Sequence, residues 1–90
     1  MSKVKGRNFE NYVKRKLKRE GYFVVRSADS KLPDLVALKG DEILLVECKF
    51  NNYLPESDRR ALLRIKNLVP KARIMLATHE FGRVVLKEID

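Results

Sequence analysis

The sequence predicts an α/β fold, a central mixed β-sheet flanked by helices in the order helix, three strands, helix, two strands (αβββαββ). Two segments space their apolar residues at helical intervals, and five short runs are continuously apolar or β-prone between turn signals. At 90 residues the chain can fill one small hydrophobic core and not two, so residues 1–90 are expected to form a single domain.

The elements follow in order. Within residues 5–20, Phe9, Val13 and Leu17 recur every four positions with Tyr12 beside them, the pattern of an amphipathic helix, which Gly21 ends. Lys14, Arg15, Lys18 and Arg19 lie away from the apolar stripe, and Glu10 falls on its border. Residues 22–26 form a β-prone run, and the polar residues 27–32 read as a loop. Residues 35–38 and 43–50 are apolar runs around Lys39-Gly40-Asp41-Glu42, where Gly40 permits a tight hairpin. A two-residue loop at Gly40-Asp41 pairs Lys39 with Glu42 and, counted down the ladder, sets Asp34 opposite Glu47 on one face, which Lys49 shares.

A loop at 51–54 leads to a second helix over 55–69, with Ala61, Leu62, Ile65, Leu68 and Val69 at helical spacing and Pro70 as its stop. Strands over 73–78 and 83–89 close the fold. His79-Glu80-Phe81-Gly82 joins them, which makes His79, the lone histidine, a surface residue of the final turn. Tyr53 and Phe81 lie in turns, where an aromatic can stack on a base or pack at a subunit contact.

Composition narrows the partners. Lysine and arginine number 20 against 12 acids, a net charge of +8, and so large an excess on a small chain points to a polyanion such as nucleic acid. No apolar run is long enough to span a bilayer, and the N-terminus lacks the apolar core of a signal peptide, so a cytoplasmic protein with no membrane partner is expected. The single cysteine, Cys48, excludes an internal disulfide and a cysteine zinc cage; alternating with Glu47 and Lys49, it faces the opposite side as a small buried hydrophobe. A core this small favours oligomerisation, and a homodimer is the expected state.

Asp34, Glu47 and Lys49 are charges set within otherwise apolar runs. Two carboxylates can hold Mg²⁺, or Mn²⁺ in its place, against a phosphate, while a lysine positions the nucleophile or steadies the transition state. Glu10 offers a further carboxylate for a second metal or a bridging water. The competing reading of the three is a structural cross-strand salt bridge; Glu10 has its own, an ordinary i,i+4 pair with Lys14. The basic helix face with Lys14, Arg15, Lys18 and Arg19 reads as a phosphate-contacting surface or as a merely solvated one.

Pro33-Asp34, twelve intervening residues and Glu47-Cys48-Lys49 resemble the PD-(D/E)XK nuclease pattern. With Gly6-Arg7-Asn8-Phe9-Glu10 upstream and Arg26 and Ser30 before the Pro-Asp pair, nearly the whole chain resembles the archaeal-type Holliday junction resolvases. The resemblance implies a restriction-endonuclease-like fold and an Mg²⁺-dependent endonuclease that resolves four-way DNA junctions by paired cuts from a homodimer. It implies that Asp34, Glu47 and the Cys48 backbone carbonyl ligate the metal, that Glu10 is the helix glutamate, that Lys49 serves the attacking water, and that Arg26 and Ser30 contact phosphate. Two other functions stay open: a nuclease of the same fold acting on flaps, nicks or single strands, and a DNA-binding protein without catalysis.

Overall fold

A computed structural model describes residues 2–28 and 32–90, with side chains from Asn8 onward. Ser30 therefore lies outside the described residues. The elements are α1 (Ser2–Arg19), β1 (Phe23–Arg26), β2 (Leu35–Lys39), β3 (Glu42–Cys48), α2 (Glu56–Leu68), β4 (Arg73–Glu80) and β5 (Arg83–Ile89). This is the αβββαββ order that the sequence predicts. The five strands form one sheet in the order β1-β2-β3-β4-β5. All neighbours are antiparallel except β3 and β4, which run parallel because α2 carries the chain back between them.

Alternation along the strands sends side chains to two faces. On one, Leu35, Ala37, Leu44, Val46, Met75 and Ala77 pack with Phe9, Val13 and Leu17 of α1. Each large side chain fully buried there contributes roughly 1.5–3 kcal/mol, so the four-residue spacing of the α1 stripe fixes how this helix lies on the sheet. On the other face, Leu45, Ala72 and Ile74 meet Leu62 of α2, with Val36, Ile43, Ile65 and Ile89 partly buried around them.

Three of the element boundaries that differ from the sequence expectation have a local cause. The first strand starts at Phe23, because the Tyr22 N–H donates to the Leu17 carbonyl (3.1 Å) and closes the end of α1. The third strand ends at Cys48 rather than at residue 50, because the Cys48 N–H is taken by a side chain, the Asp34 carboxylate. The last hairpin is tighter than expected. His79 pairs with Val84 and Glu80 with Arg83, leaving only Phe81 (φ 55°) and Gly82 (φ 74°) as the turn. A two-residue loop with positive φ at both positions matches the twist of an antiparallel ribbon. His79 is thus not a surface turn residue: its ring stacks on Phe50 at 4.7 Å between centroids and meets the edge of Phe9 at 6.4 Å.

Candidate active site

The hairpin register holds as predicted. Lys39 pairs with Glu42 and Leu35 with Val46, and the next step of that ladder sets Asp34 against Glu47. There β2 has ended, and two bonds between main chain and side chain replace the backbone ladder. The Asp34 N–H donates to Glu47 Oε1 (3.1 Å), and the Cys48 N–H donates to Asp34 Oδ2 (2.8 Å). The Glu47 carboxylate is thereby held by the Asp34 main chain and the Asp34 carboxylate by the main chain of Cys48, the residue after Glu47.

Glu47 is buried, 3 % exposed, and points to the α2 face along with Leu45. Burial first and the nearby Asp34 charge second push its carboxyl up to about 8, with Lys49 pulling the other way. Glu10 reaches the same place from the opposite face. Half-buried on α1, it receives the Arg26 guanidinium at 2.9 Å. Burial and then the Asp34 charge raise its carboxyl, and Arg26 opposes them. Asp34, at the open end of β2, is the neighbour that both glutamates share. The site therefore straddles the end of the sheet, with one glutamate from each face and the aspartate between.

Lys49 follows the end of β3 and keeps its direction through a bond from its N–H to the Ala77 carbonyl (2.9 Å). Its ammonium lies 3.7 Å from Glu47 Oε2 and 3.6 Å from Asp58 Oδ2 on α2. Asp58 is the residue that the motif-based reading misses. A signal was present, because positions 58, 61, 62, 65 and 69 share one helix face and an acid there interrupts an apolar stripe.

Cys48 faces α1 as expected and packs against that core; burial pushes its thiol well up, which suits a packed residue and not a nucleophile. Arg26, at the end of β1, is exposed with its head group on Glu10. Along α1, Lys14 and Lys18 continue the i,i+4 row that begins at Glu10. Lys18, Arg15 and Arg19 are exposed and Lys14 is half-buried. Lys14 does not neutralise Glu10, because Arg26 occupies that position.

The donor set suits a hard divalent cation. Among the described residues no three acidic, histidine or cysteine side chains form a preformed metal cage. Two carboxylates fixed by main-chain bonds, one of them held near neutrality by its surroundings, form the kind of open oxygen site that binds Mg²⁺ together with waters and substrate phosphate. A cation there would favour the charged form of Glu47, which burial alone disfavours.

The chain is similar to known proteins in sequence and in fold. The family model described as archaeal Holliday junction resolvase (Hjc) matches residues 1–74. The crossover junction endodeoxyribonuclease Hjc of Methanocaldococcus jannaschii is 38 % identical over 68 residues, covering 71 % of this chain and 51 % of that protein. The chain thus spans about half the length of that curated relative. The solved structure of Archaeoglobus fulgidus Hjc, a Holliday junction resolvase from an archaeal hyperthermophile, superposes with a TM-score of 0.75 at 23 % identity, covering 94 % of this chain and 73 % of that one. That likeness supports the restriction-endonuclease-like fold. By the family match over most of its length, the chain belongs to the archaeal Holliday junction resolvase family.

Proposed function

We propose that the protein is an Mg²⁺-dependent endodeoxyribonuclease that hydrolyses DNA phosphodiester bonds and resolves four-way junctions by paired strand cuts. Mn²⁺ would serve in place of Mg²⁺. The observation that carries this reading is the meeting of Asp34 and Glu47, the first donating its N–H to the Glu47 carboxylate (3.1 Å) and accepting the Cys48 N–H on its own (2.8 Å), with Lys49 beside Glu47, in a member of a resolvase family.

In this reading Asp34, Glu47 and the Cys48 backbone carbonyl hold the metal, and Glu10 adds a further carboxylate. The ion would supply charge neutralisation at the scissile phosphate and lower the pKa of water at the site. Lys49 presents its ammonium beside Glu47, where it can orient the attacking water and meet charge developing on phosphate oxygens. Arg26 contributes a guanidinium suited to phosphate at the rim. Lys14, Arg15, Lys18 and Arg19 carry the DNA backbone along α1, and Ser30 is a further phosphate contact by the family resemblance.

Residues 1–90 act as a single nuclease domain that works as a homodimer, since two matched cuts need two sites related by a two-fold axis. Among the described residues no helix is long and apolar enough to cross a membrane; a cytoplasmic setting, with DNA as partner, accords with the net charge of +8.

The test compares cleavage of a four-way DNA junction and a linear duplex of matched sequence in Mg²⁺, with wild type beside Glu47→Ala. Symmetric paired cuts confined to the junction and absent from the variant are the expected result. Cutting of both substrates would remove the junction preference. Tight binding without any cutting would turn the assignment to a DNA-binding protein.

A further inference from the structure

Within the proposed nuclease site, on whose reading this inference rests, we propose that Asp58 of α2 is a positioning residue that holds the Lys49 ammonium off Glu47. Two nearly equal distances define the place of the Lys49 ammonium. Lys49 Nζ lies 3.7 Å from Glu47 Oε2 and 3.6 Å from Asp58 Oδ2, and neither contact has the 2.7–2.9 Å length to which a charge-assisted N–H···O bond settles when nothing opposes it, roughly. Other lysine-carboxylate pairs of the same molecule do contract: Lys16–Glu20 to 2.7 Å and Lys87–Glu80 to 2.6 Å. Lys49 is suspended between two acids instead of seated on one.

The consequence bears on Glu47. Its Oε1 already accepts the Asp34 N–H, so Oε2 is the oxygen with capacity to spare for another partner. With Asp58 neutralised, the ammonium has one carboxylate within reach, and it closes onto Oε2 and occupies that oxygen. Asp58 thus keeps two groups separately usable: a carboxylate with an accessible oxygen and an ammonium aimed beside it.

The placement of Asp58 fits this role better than it fits helix stability. Glu56 and Asp58 both sit in the first turn of α2, where any carboxylate gains from the helix dipole. Glu56 is exposed and turns to Arg59 and Arg60. Asp58 lies on the stripe that Ala61, Leu62 and Ile65 continue, turned toward the sheet and half-buried with Lys49, each side chain 31 % exposed. A residue needed only for the dipole would not have to occupy a core-facing position.

The experiment compares Asp58→Asn, Asp58→Glu and Glu56→Gln with wild type in two ways: kcat and KM for cleavage of a four-way junction in Mg²⁺, and the position of Lys49 in a crystal structure of Asp58→Asn. The expected result is a fall in kcat of about 10- to 100-fold for Asp58→Asn, the range for loss of a group that orients a ligand. KM is expected to stay within about twofold, Asp58→Glu to recover most of the loss, and Glu56→Gln to match wild type. Lys49 Nζ is expected to move within hydrogen-bonding distance of Glu47. An unchanged kcat in Asp58→Asn, an equal loss in Glu56→Gln, or a Lys49 that keeps its place without Asp58 would each overturn the proposal. A wild-type protein that cuts no DNA would instead overturn the nuclease reading, and the crystallographic comparison would still decide the positioning role.

Discussion

The two faces of the sheet are built differently, and the difference maps onto the site. The α1 face is a large cluster in which Phe9, Val13 and Leu17 are buried against four strands. The α2 face is smaller: Leu62 is the buried anchor of its helix, while Ile65 is only partly covered and Leu68 is 82 % exposed. The densely packed face delivers Glu10, braced by Arg26. The lightly packed face delivers Glu47, Lys49 and Asp58, where charges that attract and repel one another share a half-covered space. A rigid wall on one side and an adaptable one on the other suit the proposed nuclease site, which would admit a cation and a DNA strand.

The most severe way to test this asymmetry is to remove one carboxylate from each face. Glu47→Ala should reduce junction cleavage by about 10³-fold or more, the scale for losing a principal electrostatic group. Glu10→Ala, whose loss leaves both main-chain-held acids in place, should cost about 10- to 100-fold. Equal losses in a single-turnover assay would erase the distinction between the faces.

Packing provides the next comparison. Leu17→Ala, at a fully buried position, should destabilise the protein by about 2–5 kcal/mol. Ile65→Ala, on the partly covered face, should cost about 1 kcal/mol. Urea denaturation of the two variants checks the ratio, and an Ile65 variant as damaged as the Leu17 variant would show the α2 face to be as tightly packed as the other.

Stability against pH isolates Glu47. Its carboxyl is raised from 4.5 in the unfolded chain to about 8 in the fold, so between those values the folded protein keeps a proton that the unfolded chain releases. Stability from this group is therefore highest below about pH 4.5 and declines as pH rises through about 8. In metal-free protein the decline should amount to a few kcal/mol. Glu47→Gln should flatten it, and added Mg²⁺ should reverse it by favouring the ionised carboxylate. A metal-free protein whose stability from this residue rises with pH would contradict the burial of Glu47.

The smallest effect concerns the outer surface of α1. Lys18→Ala and Arg19→Ala, both at exposed positions, should each lower the slope of log affinity for DNA against log salt by about one and weaken all DNA substrates alike. Fluorescence anisotropy over a salt series measures it, and a loss confined to the junction would point to shape reading by this helix.

Much of this was legible in the chain alone. The stripe of Phe9, Val13 and Leu17 defined α1, and Gly40 defined a hairpin whose register brought Asp34 to Glu47. These are local properties: helical and strand periodicities run along the sequence, and a two-residue turn fixes every pairing below it. The strand ends were harder to read. Cys48 ends β3 because the side chain of Asp34, just outside β2, captures its N–H, and His79 extends β4 because Phe81 shares the turn with Gly82. Neither event leaves a compositional mark, since each depends on a partner distant in sequence or on a backbone conformation unusual for the residue.

The αβββαββ order, the hairpin register, the basic face of α1 and the chemical types gathered near Asp34 and Glu47 are all written in the linear chain. Which charges meet is set by the packing of the elements in three dimensions. It took Glu10 from Lys14 and gave it Arg26, because β1 ends beside α1. It set Asp58 against Lys49, because the parallel β3–β4 pair requires a crossover whose helix lies over the end of β3. Periodicity states which face a side chain occupies; the distance between groups on different elements is set by packing, and the electrostatics of a site depend on that distance.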